Sequence, residues 1–548
     1  MSKHLFWILF IFVLVGCSGR ETKKTYPESV LPSLYITIQP EQLDSILHDR
    51  EHKASAEALL LSDERDTIYS GELTQIKTRG NYTFRLYKKA FSIKFPYKIR
   101  MLGLDKDRSF VLLSNASDES HIRNAIGLDL ARAIGIPASR YAYVRLFVNN
   151  KYFGLYQITN KVEVGRKMVN ITDLGKLNEL VNPCPLNEYT WFAHGRKNRV
   201  LQRKGVLLER NPEDISGGYL LDNCGINSTY YKCVSGFVSQ AGDPIRIRSP
   251  KYASPEEVEY IADVYDQMEK AVLASDGYNL QTGKHYSEYI DTESFARYYL
   301  LNELLMNIYG GMSSFMMYKD KDSLDSKIYA GPAWDYDVIL NNPLFTKSEL
   351  ILPNEVYVGS EQATLENPHS GGLLYHLMQH EDFREIVKSC YYQEISSICH
   401  EYLEHDYWDS LANGLYSEAE QDNQIYGYRV SKDYATAVSR TMDFFKERVE
   451  FFDWYYSAEE SEMIRVAITK ANNKKAYAYY PLRTAIHMPQ LEWQYVRTPV
   501  CLLCYEGTEN IVKEGTVFQT PQHLEFRDRD PKWREIQWRR IRKMLNKW

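Results

Sequence analysis

Apolar and polar residues alternate with a period of two along residues 34–38, 67–78, 90–95, 142–149 and 152–159. That is the pattern of strands with one face buried. Helical spacing interrupts it near residues 40–52 and 122–133. From Pro255 onward the period lengthens, and residues 256–274, 292–307, 371–379, 382–405 and 430–455 repeat their apolar positions every three to four residues, as amphipathic helices do. This order predicts an α+β chain with a strand-rich N-terminal lobe from residue 31 to about 250 and a helix-rich C-terminal lobe to about 455. Past it, 496–505 and 516–526 have strand character, and 532–548 is a basic helix with Trp533, Ile541, Met544, Leu545 and Trp548 on a broad apolar face. Such a helix either lies on a membrane or docks on its own domain, and Arg534 and Ile536, which break the face, favour docking. No internal repeat or low-complexity tract occurs.

The first thirty residues have a different character. A short basic start, Met1 to His4, precedes an unbroken apolar run over residues 5–15, and Leu14-Val-Gly-Cys17 places a cysteine after small residues. A membrane span needs roughly 20 apolar residues, well beyond this run, so a lipoprotein signal peptide ending in a lipidated Cys17 is the expectation. Stable anchoring takes more than one acyl chain. A diacylated or triacylated Cys17 is therefore expected on a membrane, facing the periplasm or the cell surface. Residues 18–30 are polar and turn-rich, the composition of a tether.

Composition narrows the possibilities further. A chain of 548 residues with 44% hydrophobic and 25% charged residues can bury a large core. Its net charge of -6 argues against a nucleic-acid partner, which needs concentrated basic surface. The 43 tyrosines and 9 tryptophans would suit a glycan-handling surface, although most aromatic residues in any chain build core. Setting Cys17 aside leaves seven of the eight cysteines, an odd number that requires at least one free or intermolecular thiol. Cys501-Leu-Leu-Cys504 has no second pair at zinc-ribbon spacing, and a Cys224–Cys233 disulfide would close a short polar loop. The chain contains no P-loop, G-x-G-x-x-G, H-E-x-x-H or G-x-S-x-G motif. Asp320-Lys-Asp-Ser-Leu-Asp325 lacks the central Gly and terminal Glu of a calcium loop and has the chemistry of a hairpin turn.

Several segments in fixed order stand above this background. They are Arg79-Gly-Asn-Tyr-Thr83, Lys88-Lys89-Ala-Phe-Ser-Ile-Lys94-Phe95, Phe110-Val-Leu-Leu-Ser-Asn115 with Asp118 and Arg123-Asn124, and Asn149-Asn-Lys-Tyr-Phe-Gly154-Leu-Tyr156. Gly217-Gly-Tyr-Leu-Leu221 and Tyr318-Lys-Asp320 follow, the latter leading to Gly331-Pro-Ala-Trp-Asp335-Tyr-Asp337. Together they make residues 31–455 resemble the CotH kinase-like family, leaving 456–548 as a small extension. The resemblance implies a bilobal, atypical protein-kinase-like fold using ATP with Mg2+ or Mn2+ to phosphorylate an extracytoplasmic protein.

Phosphoryl transfer needs cations on the nucleotide phosphates, carboxylates on the metal and an acid that positions the acceptor hydroxyl. Lys89, with Lys88 beside it, is the candidate for the first role, the alternative being a pair of solvated edge lysines. Arg79 either grips phosphate or pairs with a carboxylate. Asp335 and Asp337, on one face if the segment is a strand, are the candidate metal ligands, with turn formation as the alternative. Two positions depart from the family pattern: Asn160 stands where an acid is expected, and Tyr309 occupies the place of an expected Asp. An unperturbed tyrosine, with a pKa of about 10, cannot act as a carboxylate base. The expectation is therefore either an active kinase or a pseudokinase that keeps a binding pocket.

Overall fold

The alternating stretches of the first 160 residues close on one another. The computed structural model describes residues 31–482, short stretches within that span excepted, together with strands at 490–493, 496–499, 501–505 and 524–528. Seven strands, β1 (Ser33–Thr37), β2 (Ala54–Leu61), β3 (Thr67–Arg79), β4 (Ala90–Ile99), β5 (Asp107–Leu113), β6 (Tyr141–Val148) and β7 (Lys151–Asn160), form a closed barrel in the order β1-β2-β3-β4-β5-β7-β6. Antiparallel pairing joins β1 to β2, and parallel pairing of β1 with β6 completes the ring, which leaves no open edge. Leu34, Ile36, Leu73, Ile76, Ile93, Phe95, Phe110 and Leu146 fill the interior. Helix α1 (Pro40–His48) packs on β2 and β3 and buries Ile46, whose carbonyl accepts a hydrogen bond from Thr78 Oγ1 at 2.7 Å.

Two barrel strands are missing from the sequence expectation. The Ala-Ser-Ala-Glu-Ala-Leu-Leu-Leu sequence of β2 is rich in helix formers, yet pairing on both sides makes it a strand. The short β5 likewise gains its form from β4 and β7.

A second, seven-stranded sheet has the order β14-β13-β10-β12-β11-β9-β8. Its strands are β8 (Trp191–Lys197), β9 (Val200–Val206), β10 (Tyr219–Asn223), β11 (Gly236–Val238), β12 (Pro244–Ser249), β13 (Phe315–Lys319) and β14 (Ile328–Ala330). The boundary expected near residue 250 is thus real along the chain but not in space, because β13 and β14 return to this sheet after two helices. The Asp320–Asp325 segment forms the connection between them. Helix α3 (Pro255–Leu273) lies against β9 and β11. Ser254 starts it with a reciprocal cap: its Oγ accepts from the Glu257 amide at 3.1 Å, while the Glu257 carboxylate accepts from the Ser254 amide at 2.9 Å.

The helical body adds α2 (Arg123–Ala133), α4 (Thr292–Leu304), α5 (Tyr407–Tyr426) and α6 (Tyr434–Ser457). The helix expected over 382–405 is one run, Glu381–Cys390 and Ser396–Glu404, joined by a π-helical turn at Tyr391–Ile395. Tyr391 OH and Ser396 Oγ both donate to Asp453 at 2.8 Å, which fastens this turn to α6. Helices α4 and α6 are tied by a fully buried pair, Arg448 and Glu303, 3.2 Å apart. Past α6, Met463–Thr469 pairs with Lys475–Pro481, and with Leu524–Asp528 in parallel. Among the described residues no helix is long and apolar enough to cross a membrane. Cys17, the tether at 18–30 and the helix expected at 532–548 lie outside the described residues.

Candidate functional site

A cavity of about 1400 Å3 opens between the barrel and the second sheet. Its barrel wall comes from the end of β3. Inside the barrel sit Ile76 and Thr78, so the period of two turns Lys77 and Arg79 outward together, and both line the cavity. After Arg79 the chain turns sharply through Gly80, whose φ of +94° and 1.9 Å spacing from a would-be Cβ to Thr83 Oγ1 leave no room for a side chain. The Arg79 guanidinium lies 5.2 Å from the Trp334 ring centroid, a cation–π placement, and no hydrogen bond from it is found among the described residues. Burial lowers its pKa, and the Asp335 carboxylate acts in the opposite sense. Lys77 is also lowered, by burial first, with the opposing charge of Glu51 outnumbered by Lys53, Arg50 and Lys251.

The second wall is the exposed face of the sheet. Ile245 and Ile247 of β12 are buried, and Arg246 and Arg248 between and beyond them line the cavity, as does Asp222, the direct register partner of Arg246 on β10.

Asp335 and Asp337 form the floor, and both line the cavity. They are not on a strand, the condition under which they were expected to share a face; the segment is irregular, closer to the turn given as the alternative. Asp335 has a left-handed φ of 72° in an irregular segment, and Ser314, itself at φ 58°, donates its Oγ proton to Asp335 Oδ2 at 3.2 Å. Tyr336 between them is the anchor: its amide donates to Asn124 Oδ1 at 2.8 Å, and its ring covers Gly127, where a Cβ would come within 2.3 Å of Tyr336 Cγ. Arg123, one residue before Asn124, holds buried Asp118 at 2.5 Å and donates to the Ile339 carbonyl at 2.9 Å. The Arg-Asn pair of α2 is thus the scaffold of the acidic floor.

Although Asp335 faces cavity space, surrounding protein pushes its carboxyl above the ordinary range, with Arg79 pulling back. Burial raises Asp337 much further, followed by the charges of Asp335 and Asp118. Two carboxylates so placed favour a proton or a cation between them. Among the described residues no three His, Cys, Asp or Glu groups are placed to hold a metal. A two-carboxylate set is still the kind of protein contribution that Mg2+ takes together with substrate phosphates and water, so the residues fit such an ion.

The remaining expectations fare differently. Tyr309 lines the cavity, 43% exposed. Asn160 does not line it: its Nδ2 donates to the Asp105 carbonyl at 3.0 Å and its Oδ1 accepts from the Asp105 amide at 3.1 Å. Lys88 and Lys89 do not line it either. Lys88 is buried, with Nζ 2.7 Å from Asp422 Oδ1 and donating to the Leu155 carbonyl at 2.6 Å. Lys89 lies over the Phe84 ring and donates to the Phe84 carbonyl at 2.5 Å. Strand β3 instead gives the cavity Lys77 and Arg79, an i, i+2 pair flanking the buried Thr78, and Arg50 and Lys161 line it as well. Arg246-Ile-Arg248 carries the same signal, and it and Lys77 were missed because nothing along the chain shows what faces them. Cys224 and Cys233 both line the cavity and are not joined in a disulfide.

No curated protein matches this chain. A family model described as CotH kinase protein matches residues 76–452, a span that takes in the barrel wall from β3, the acidic floor and the helical body through most of α6. The order of motifs and the geometry they build agree with that match: this chain belongs to the CotH kinase family.

Proposed function

We propose that the chain binds a nucleoside triphosphate, ATP in the first instance, with Mg2+ or Mn2+ in this cavity, and that its phosphoryl transfer is impaired. The observation that carries the reading is the convergence of Arg79, Asp335 and Asp337 on one cavity. Arg79 and Lys77 would hold phosphate oxygens, and Asp335 and Asp337 would hold the divalent ion, which supplies charge neutralisation on the phosphates. Tyr309 in the cavity, at the place of an expected acid, favours a pseudokinase over an active atypical protein kinase, because positioning and electrostatics supply nearly all of this catalysis. Such a chain would act as a binding protein of the cell envelope toward an extracytoplasmic protein. The apolar run before Cys17 supports export and attachment to a membrane through a lipidated Cys17, checked by metabolic labelling with palmitate of the parent and Cys17→Ser.

Incubating the full chain with labelled ATP and Mn2+, first alone and then with casein-like acceptors, tests the reading together with a thermal-unfolding series. A ligand-dependent rise in melting temperature with little label transferred is the expected result. No rise at any ATP and metal concentration would end the nucleotide-binding reading, and rapid transfer would end the pseudokinase part of it.

A further inference from the structure

Asp222 and its two arginines have no part in that reading. Asp222 is 3% exposed and lines the cavity. Its Oδ2 is engaged by Arg246 Nη2 and lies 3.7 Å from Arg248 Nη1. Its Oδ1 has no hydrogen-bond partner among the described residues, and neither does the buried Arg246 Nε. Arg248 keeps 22% side-chain exposure, and its one hydrogen bond to a carbonyl, Val162 O, is long at 3.4 Å. Burial, then the charge of Arg246, lowers Arg248 to about 10. A buried acceptor and donor left without partners are costly, and native structures supply such groups with partners of some kind. Here the wall presents guanidinium donors, which match the oxygens of a tetrahedral oxyanion, directly beside a carboxylate oxygen that repels one.

We propose that Arg246, Arg248 and Asp222 form an anion subsite selective for an oxyanion that brings its own O–H donor. Hydrogen phosphate meets both demands at neutral pH, because its unprotonated oxygens accept from the arginines while its remaining proton is donated to Asp222 Oδ1. A sugar phosphate with a neighbouring hydroxyl meets them as well. Sulfate, of the same shape and charge but without a proton, leaves Oδ1 facing an oxyanion oxygen. The subsite does not depend on nucleotide binding at Arg79 and the acidic floor, and its failure would leave that reading untouched.

Calorimetric titration of the full chain, without nucleotide or metal, with inorganic phosphate, glucose 1-phosphate and sulfate tests it. Phosphate, the sugar phosphate or both should bind at least tenfold more tightly than sulfate, and comparison of the two assigns the source. Asp222→Asn, which offers an N–H at that position, should bring sulfate level with phosphate. Arg248→Gln should weaken every anion at least tenfold, whereas Arg79→Gln should preserve the preference for phosphate over sulfate. Equal affinity for phosphate and sulfate in the parent, or no phosphate binding at all, overturns the proposal without recourse to any variant. So does a folded Asp222→Asn chain that discriminates as the parent does.

Discussion

The Lys88 ammonium lies 2.7 Å from the Asp422 carboxylate across the junction of barrel and α5, with side-chain exposures of 0% and 3%. The pair brackets one peptide: Lys88 donates to the Leu155 carbonyl, and Asp422 Oδ1 accepts from the Leu155 amide at 2.8 Å. Lys88 also faces the Tyr156 ring at 4.7 Å. A lysine placed by motif beside the phosphates is therefore spent on joining two parts of the fold.

Removing one partner of such a pair strands the other. Lys88→Met should cost about 3–5 kcal/mol, and the double change Lys88→Met with Asp422→Leu should recover much of that. Denaturant unfolding of the three chains measures both. Nucleotide affinity of the folded fraction should not change, and a selective loss of affinity would return Lys88 to the binding site.

The proposed divalent ion would rest on the floor, at Asp335 and Asp337. Asp335→Asn should reduce the thermal stabilisation produced by Mn2+ plus ATP, since a ligand that binds only the folded state raises stability in proportion to its affinity. An unchanged shift would remove Asp335 from the metal site.

Restoring the acid at the cavity is the direct test of impaired transfer. Tyr309 is 43% exposed, so Tyr309→Asp removes little core packing. Autophosphorylation or ATP turnover should rise by on the order of 100-fold, the lower range for a well-placed acid or base. A folded variant no faster than an already active parent would show that position 309 has no such role. Asn160→Glu should not add to the gain. Losing the Nδ2 donation to the half-buried Asp105 carbonyl should cost about 0.5–1.5 kcal/mol, read as a lower denaturation midpoint.

Two buried acids set a pH dependence remote from the cavity. Glu269 accepts from Ser239 Oγ and the Ala241 amide, each at 2.7 Å, yet burial, followed by the charge of Asp243, raises it from 4.5 to about 7. Burial likewise raises Glu257 to about 7. Between 4.5 and about 7 the folded chain holds protons that the unfolded chain releases, so stability falls as pH rises through that window. Glu269→Gln should flatten the fall in a plot of unfolding free energy against pH. An unchanged slope would mean that Glu269 is ionised in the folded chain throughout.

Local pattern carried much of this protein. Alternation located β1, β3, β4, β6 and β7, because burial of one strand face leaves a period of two in the residues themselves. The change of period at Pro255 announced α3, since a helix with one buried face repeats its apolar positions every three to four residues. The family motifs singled out Arg79, Asp335, Asp337 and Tyr309, which line one cavity. Tertiary structure alone decided what covers each face. Lys88 and Lys89 are adjacent, and only the position of α5 turns one into a buried ion pair. The helix-forming sequence of β2 became a strand because the barrel needed its hydrogen bonds. Asp222 meets Arg246 through a sheet register between segments 24 residues apart. Periodicity specifies which residues share a face, whereas the groups opposite that face come from distant parts of the chain, and the pairing that brings them there is settled by the packing of the whole.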